Sequence, residues 1–348
     1  MKNILLEKYR RYALRKILAG LVISAGLLLL ILYSLKIGSY ETGIKDLLRV
    51  ITGVASNRLE IIILGIRLPR IIAAVFAGAG LAFAGTVMQC LLRNPLASPF
   101  TMGVSQGAAF GAAFAIIVFG AGQASNGISG KYLTGLCAFS GSLASVTVIL
   151  FLAGLRALDY RAIILGGVAM GSLFGAGTMF LQFFAEDVEV ASVVFWSFGD
   201  PGRVSWGDLK IIIPVVTAGG LYFFHKSWEY NIVEGGEETA AALGVKIKRT
   251  RISGVLISAL MTAVCVSFMG IIGFTGLIAP HITRKIVGGD HRFLIPVSAA
   301  AGALLLLGAD TAARTIMSPE VLPVGILTSF FGAPLFIYLI SRKGGRGL

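Results

Sequence analysis

Charge is scarce in this chain. Of 348 residues, only 14% are Asp, Glu, Lys or Arg, and three are histidine, while 56% are hydrophobic. A soluble protein of that composition could not cover its surface with polar groups. Cysteine is scarce too: Cys90, Cys137 and Cys265 fall in or beside apolar runs, with no CxxC pair. That pattern indicates neither a disulfide framework nor a metal site, and the three read as small buried hydrophobes. No GxxxxGK[ST] string occurs, which excludes ATP binding in the P-loop manner. An intramembrane enzyme would want a metal cluster or a paired nucleophile and base, and no HExxH string occurs. Acid is scarcer than base, giving a net charge of +13. The basic residues stand at the ends of apolar runs, so they mark topology and form no phosphate-binding face for nucleic acid.

Apolar runs and glycine are what the chain has in quantity: 45 glycines and a mean hydropathy of +0.86. Since roughly 20 apolar residues cross a bilayer as a helix, the runs predict an all-α integral membrane protein of about ten transmembrane helices in one domain, 1–348. They fall at 17–35, 64–91, 97–120, 132–155, 162–185, 208–225, 252–272, 274–287, 293–316 and 322–341. The basic N-terminus leads into an uncleaved first span, because no small-residue cleavage site follows it. Ten spans put both termini on the cytoplasmic side of a multi-pass membrane protein. Lys and Arg are then about twice as numerous inside as outside, although Arg67 and Arg70 break the rule. An outer loop carries Glu186, Asp187, Glu189, Asp200 and Asp208.

Glycines repeat every fourth residue at Gly103, Gly107 and Gly111, and again at Gly167, Gly171 and Gly175. Such ladders let helix backbones approach closely and make spans three and five the expected centre. Gly65–Gly85 and Gly244–Val264 share a weak likeness in opposite directions across the membrane, which suits an inverted repeat. Asn94 and Pro95 are expected to start the third span, and His281 to be a structural histidine. One polar interlude, 226–251, stands out. Within it Glu237–Leu243 reads as two helical turns, with Glu237 and Glu238 at the end that favours negative charge and Gly244 as the stop. Ala240, Ala241 and Ala242 give it a small face, and the basic residues that follow place it in the cytoplasm. It is expected to be the handle for an energy-supplying partner.

The string IRLPRIIAAVFAGAGLAFAGTVMQCLLRNPLASPFTMG at Ile66–Gly103 resembles the membrane subunits of type II ABC importers for iron-siderophores, haem and cobalamin. The likeness recurs in LGGVAMG (Leu165–Gly171), VFWSFGD (Val194–Asp200), GGEETAAALGV (Gly235–Val245), Gly270–Arg314 and Leu322–Ile340. It implies the type II ABC importer permease fold. It further implies dimerisation with a second permease copy, two cytoplasmic ATPase subunits below and an extracytoplasmic solute-binding protein above. ATP with its Mg²⁺ would sit on the ATPases, leaving no cofactor or metal in this chain, whose other contact is membrane lipid. By this resemblance Arg67, Arg70 and Arg314 would receive acidic residues of the binding protein, a task suited to guanidinium forks. Gly236, Glu237, Glu238, Thr239, Ala240, Leu243 and Gly244 would couple to the ATPase. Gly167 and Gly171 would border the pathway, with the gate at Asp159–Arg161. Tyr160 and Arg161 depart there from the small hydroxyl residues of the relatives. The cargo expected is a ferric siderophore, with cobalamin, haem or an oxyanion as alternatives. An ion-coupled secondary transporter would instead want intramembrane carboxylates, for which Asp310 and Asp159 are the candidates.

Overall fold

The computed structural model describes residues 2–38, 43, 46, 49–50, 52–53, 56–122, 127–154 and 160–341. Asp159, Arg156 and the terminal Arg342, Lys343 and Arg346 lie outside them. Among the described residues the regular structure is helical, with one isolated backbone pairing between Phe198 and Ile271. Seven helices are long and apolar enough to cross a membrane: α1 (Lys2–Lys36), α2 (Asn57–Leu91), α4 (Gly127–Gly154), α5 (Tyr160–Phe183), α7 (Trp206–His225), α10 (Ile247–Met269) and α12 (His291–Thr315). The other three predicted runs appear as shorter helices, α3 (Val104–Ile117), α11 (Thr275–Val287) and α13 (Val324–Ser341). Three further short helices lie between: α6 (Asp187–Ser197), α8 (Ser227–Glu234) and α9 (Glu237–Ala242). So seven of the ten predicted runs are helices long enough to cross, and three are shorter. The difference is chain length spent on turns; the third run, for example, opens with a 3₁₀ turn at Pro99–Met102.

That turn also corrects the expected start of the third run. Asn94 accepts from the Leu96 N–H at 2.9 Å within a local turn. The capping box is made one step later, by Ser98 and Thr101, ahead of Pro99.

The core is built around α2, which packs against α7, α10, α11 and α12. The most apolar window of α2 is 72% buried, that of α10 67% and that of α12 61%, against 17% for α5. The fifth run is therefore peripheral within one subunit, contrary to the expectation from its glycines. The α3 ladder does pack as expected. A Cβ on Gly107 would stand 2.3 Å from the Gly141 carbonyl of α4, and one on Gly111 2.0 Å from the Cys137 carbonyl. Small residues are what let these backbones meet. The first turns of α2 widen into a π-helix over Ile61–Arg67, and the Trp206 indole donates to the Leu64 carbonyl there at 2.8 Å. Cys90 and Cys265 are buried and all three thiols are free.

Candidate functional site

Two polar assemblies sit at opposite ends of this apolar core. The first joins the end of α1, the start of α2, the end of α12 and the turn after α6. Arg70 places Nε 2.7 Å from Asp310 Oδ1 and Nη2 2.9 Å from Asp200 Oδ1. Arg314, one turn beyond Asp310, places Nε 3.1 Å from the other carboxylate oxygen. Arg314 also donates to the Ile37 carbonyl at 2.9 Å and to the Ser34 hydroxyl. Arg67 donates to the Leu35 carbonyl at 2.7 Å. These groups close the C-terminal end of α1, whose last carbonyls have no intrahelical partner.

Of the three arginines expected to receive acidic residues of a binding protein, Arg67 is 5% exposed and Arg314 8%. Arg67 donates to the end of α1, and Arg314 divides its N–H groups between that end and Asp310. Arg70 differs, because one of its partners, Asp200, keeps 28% of its side chain exposed. Asp310 is fully buried with both oxygens matched by guanidinium groups, which leaves it ill suited to bind and release a coupling ion.

Nearby, the loop after α6 is knitted to two other segments through its backbone. Asp200 N–H donates to the Met269 carbonyl at 2.8 Å, and Gly325 N–H to the Gly199 carbonyl at 2.9 Å. Arg203 donates to the carbonyls of Phe195 and Trp196, and burial holds its guanidinium below the usual arginine range.

The second assembly lies at the other end. Glu237 begins α9 after Gly236, and Gly244 ends it at φ +78°, a conformation glycine takes without strain. The helix thus stops at Ala242, with Leu243 as its cap. Its small face is narrower than the sequence reading: Ala240 is fully buried, while Thr239, Ala241, Ala242 and Leu243 face outward. Arg251 Nη2 lies 2.7 Å from Glu237 Oε1, tying α9 to the first turns of α10.

Sequence reasoning missed α8, which fixes this loop to the core. Asn231 Nδ2 donates to Asp290 Oδ1 at 2.9 Å, while Asn231 Oδ1 accepts from the His291 backbone at 2.7 Å. Glu234 pairs with Arg284 and Glu229 with Lys226, and Glu229 accepts from the Thr250 hydroxyl at 2.9 Å. Burial alone would raise the Asp290 carboxyl, but hydrogen bonds from Arg292 and Asn231 overcome it and hold the group at about 2. The same balance, with Lys226 and Thr250 as donors, lowers Glu229. The polar spacing of Asn231, Glu234 and Trp228 was the available signal. Arg292 stacks over the Trp228 ring at 4.2 Å.

Of the expected gate, Tyr160 is half-buried against the apolar cluster around Met88 and Ile163, and Arg161 is exposed. Gly167 is sealed: a Cβ would stand 2.3 Å from the Thr101 carbonyl, so close packing accounts for it. At Gly171 the nearest atoms to a Cβ belong to Gln106, at 3.9 Å. His281 is buried in α11. Among the described residues no three His, Cys, Asp or Glu side chains are gathered to hold a metal ion. Gly103–Gly107 has GxSxG spacing, but a nucleophile elbow follows a strand. Here the string runs from a 3₁₀ turn into α3.

A bundle of apolar helices with a clamped polar helix at one end and a buried ion network at the other is a multi-pass membrane permease. Residues 26–342 match the model of the FecCD transport family, and the chain belongs to that family. It is 53% identical over 98% of its length to an ABC transporter permease protein described in Methanocaldococcus jannaschii, covering 99% of that protein. It is 36% identical to the hemin transport system permease protein HmuU of Yersinia pestis, covering 91% of this chain and 95% of that one. A solved structure described as a metal-chelate type ABC transporter in an inward-facing conformation superposes with a TM-score of 0.82 at 31% identity. That match covers 93% of this chain and 98% of the other. The relatives are permease components, which places ATP hydrolysis outside this chain.

Proposed function

We propose that this chain is the membrane-spanning subunit of an ATP-driven importer that moves a metal chelate by alternating access. A ferric siderophore is the first candidate, with haem, cobalamin or an oxyanion as alternatives. The observation that carries the reading is α9. A six-residue helix with an outward face of Thr239, Ala241, Ala242 and Leu243 is held to α10 by the Arg251–Glu237 pair. A push on α9 is thereby delivered to a core helix that packs on α2. Without such a link a cytoplasmic ATPase could bind and still move nothing.

In this reading the whole chain works as one permease domain that crosses the inner membrane ten times, the three short apolar helices being completed by their turns. Both termini are cytoplasmic. Two ATPases bind at α9, a second permease copy completes the pathway, and an extracytoplasmic binding protein docks at the opposite end. Arg70 is the docking contact that its surroundings favour, since an incoming carboxylate can take the place of the part-exposed Asp200. Arg67 and Arg314 hold the rim behind it. Tyr160 and Arg161 stand at the inner gate, with Gly171 further along the same helix.

Affinity purification of the tagged chain from native membranes in mild detergent tests the reading. Recovery of a Walker-motif ATPase and a solute-binding protein is the expected result. A well-folded chain that reproducibly comes without an ATPase would overturn it.

A further inference from the structure

Two groups stand out among the basic residues at the α8–α12 end, beside the exposed Arg93 and Lys285, which belong to neither. Lys226, Arg251, Arg284 and Arg292 each pair with a carboxylate, namely Glu229, Glu237, Glu234 and Asp290. Lys246, Lys248 and Arg249 are exposed, and no carboxylate among the described residues lies within ion-pair distance of them. These three line one end of a shallow, open depression of about 600 Å³ along the foot of α10, and Ile247, Ile252 and Leu256 form its apolar wall. Three adjacent cations without acids, beside an apolar wall, contrast with the four paired residues around them.

From this we infer that the foot of α10 is a binding site for an anionic phospholipid of the cytoplasmic leaflet. The phosphate headgroup sits among Lys246, Lys248 and Arg249, and an acyl chain lies along Ile252 and Leu256. Charge complementarity selects the headgroup, because the cytoplasmic surface of a membrane is anionic and attracts clustered Lys and Arg beside a span. The wall selects a lipid over an acidic protein surface. At a rise of 1.5 Å per residue Leu256 lies about 10 Å along the helix from Arg249, toward the hydrocarbon. Leu256 and Leu260, one turn apart, are 39% and 37% exposed and continue the apolar stripe inward. A cytoplasmic protein would meet the cations but not that stripe. Ser253 is occupied, accepting from the Tyr222 hydroxyl at 2.8 Å, so the headgroup contacts fall to the three cations.

The site adjoins the coupling helix. The Val245 N–H donates to the Ala240 carbonyl at 2.9 Å, which folds Lys246 back beside α9. A bound headgroup therefore fixes the joint between α9 and α10, and this consequence, unlike the binding itself, rests on the importer reading above.

Native mass spectrometry of the full-length chain in detergent, titrated with phosphatidylglycerol or phosphatidylcholine, tests the site. Wild type retains phosphatidylglycerol in preference to phosphatidylcholine. The Lys246→Gln/Lys248→Gln/Arg249→Gln variant weakens phosphatidylglycerol retention by more than about tenfold. Leu256→Trp, which alters the apolar wall and keeps every charge, also weakens it. Arg10→Gln/Arg11→Gln/Arg15→Gln, an equal loss of charge elsewhere, leaves it unchanged. Equal retention by wild type and the α10 triple variant overturns the site, as does equal loss in both triple variants. Loss of a co-purified ATPase with lipid retention intact also overturns it, and reassigns the cations to an acidic protein surface. Should the α10 triple variant not fold, Lys248→Gln alone must still give a partial loss of phosphatidylglycerol. The lipid measurement needs no ATPase, so its failure is distinct from failure of the importer reading.

Discussion

Arg70 and Asp310 are 240 positions apart in sequence and 2.7 Å apart in space. With Arg314 on the second oxygen of the same fully buried carboxylate, they lock the start of α2 to the end of α12. Removing the acid would leave two guanidinium groups facing each other where water is excluded. Asp310→Asn is therefore expected to destabilise the subunit by about 3–5 kcal/mol, read as a lower unfolding temperature in detergent. Combining it with Arg70→Gln should recover part of the loss, and no recovery would break the assignment of the pair.

The tightest approach in the core predicts a contrast between two glycines. A Cβ on Gly85 of α2 would lie 1.7 Å from the Gly276 carbonyl of α11, whereas one on Gly175 of α5 would meet nothing within 4 Å. Gly85→Ala should force these helices apart and cost about 1–3 kcal/mol or more. Gly175→Ala should leave the unfolding temperature within experimental scatter. Similar behaviour of the two would refute the packing described.

At the coupling helix, binding and folding should separate. Leu243 is 64% exposed and makes up the outward face with Ala241 and Ala242. Leu243→Asp is expected to lower ATPase co-purification by roughly tenfold or more without shifting the unfolding temperature. Arg251→Gln should leave the ATPase bound but reduce transport per ATP hydrolysed. Full coupling in that variant would show that the Glu237 pair transmits nothing.

Asp290 supplies a prediction in pH. Its carboxyl is held down from 3.8 to about 2, burial being outweighed by Arg292 and Asn231. A depressed carboxyl contributes stability in full above the ordinary value, and loses it as pH falls through the lowered one. Asp290→Asn should thus cost about 2 kcal/mol at neutral pH, and under about 1 kcal/mol at roughly pH 2.5. A gap independent of pH would mean that the carboxylate's charge plays no part.

Much of this architecture was legible because it is written in local spacing. Each predicted apolar run coincides with a helix, and the Gly107 and Gly111 ladder packs as its period implied. The stop at Gly244 also falls where glycine was expected. What escaped was everything that depends on partners far along the chain. Arg67 and Arg70 read as misplaced surface charge, because their acceptors at Leu35, Asp200 and Asp310 carry no periodic signal. The weight given to α5 failed for a related reason. Its glycines promise close approach, but nothing in their spacing says whether the approaching surface belongs to this subunit. The anchoring of α8 was hidden likewise, since Asn231 finds Asp290 and His291 only after α12 has folded back beside it.

The backbone junction of Gly199, Ile271 and Gly325 sets the grain of any motion at the outer end. A Cβ on Gly199 would stand 2.3 Å from the Ile271 carbonyl, and one on Gly325 2.6 Å from the same oxygen. Three segments from distant parts of the chain thus share one point with no side chain as a cushion. They can travel only as a single piece, like spokes fixed to one hub.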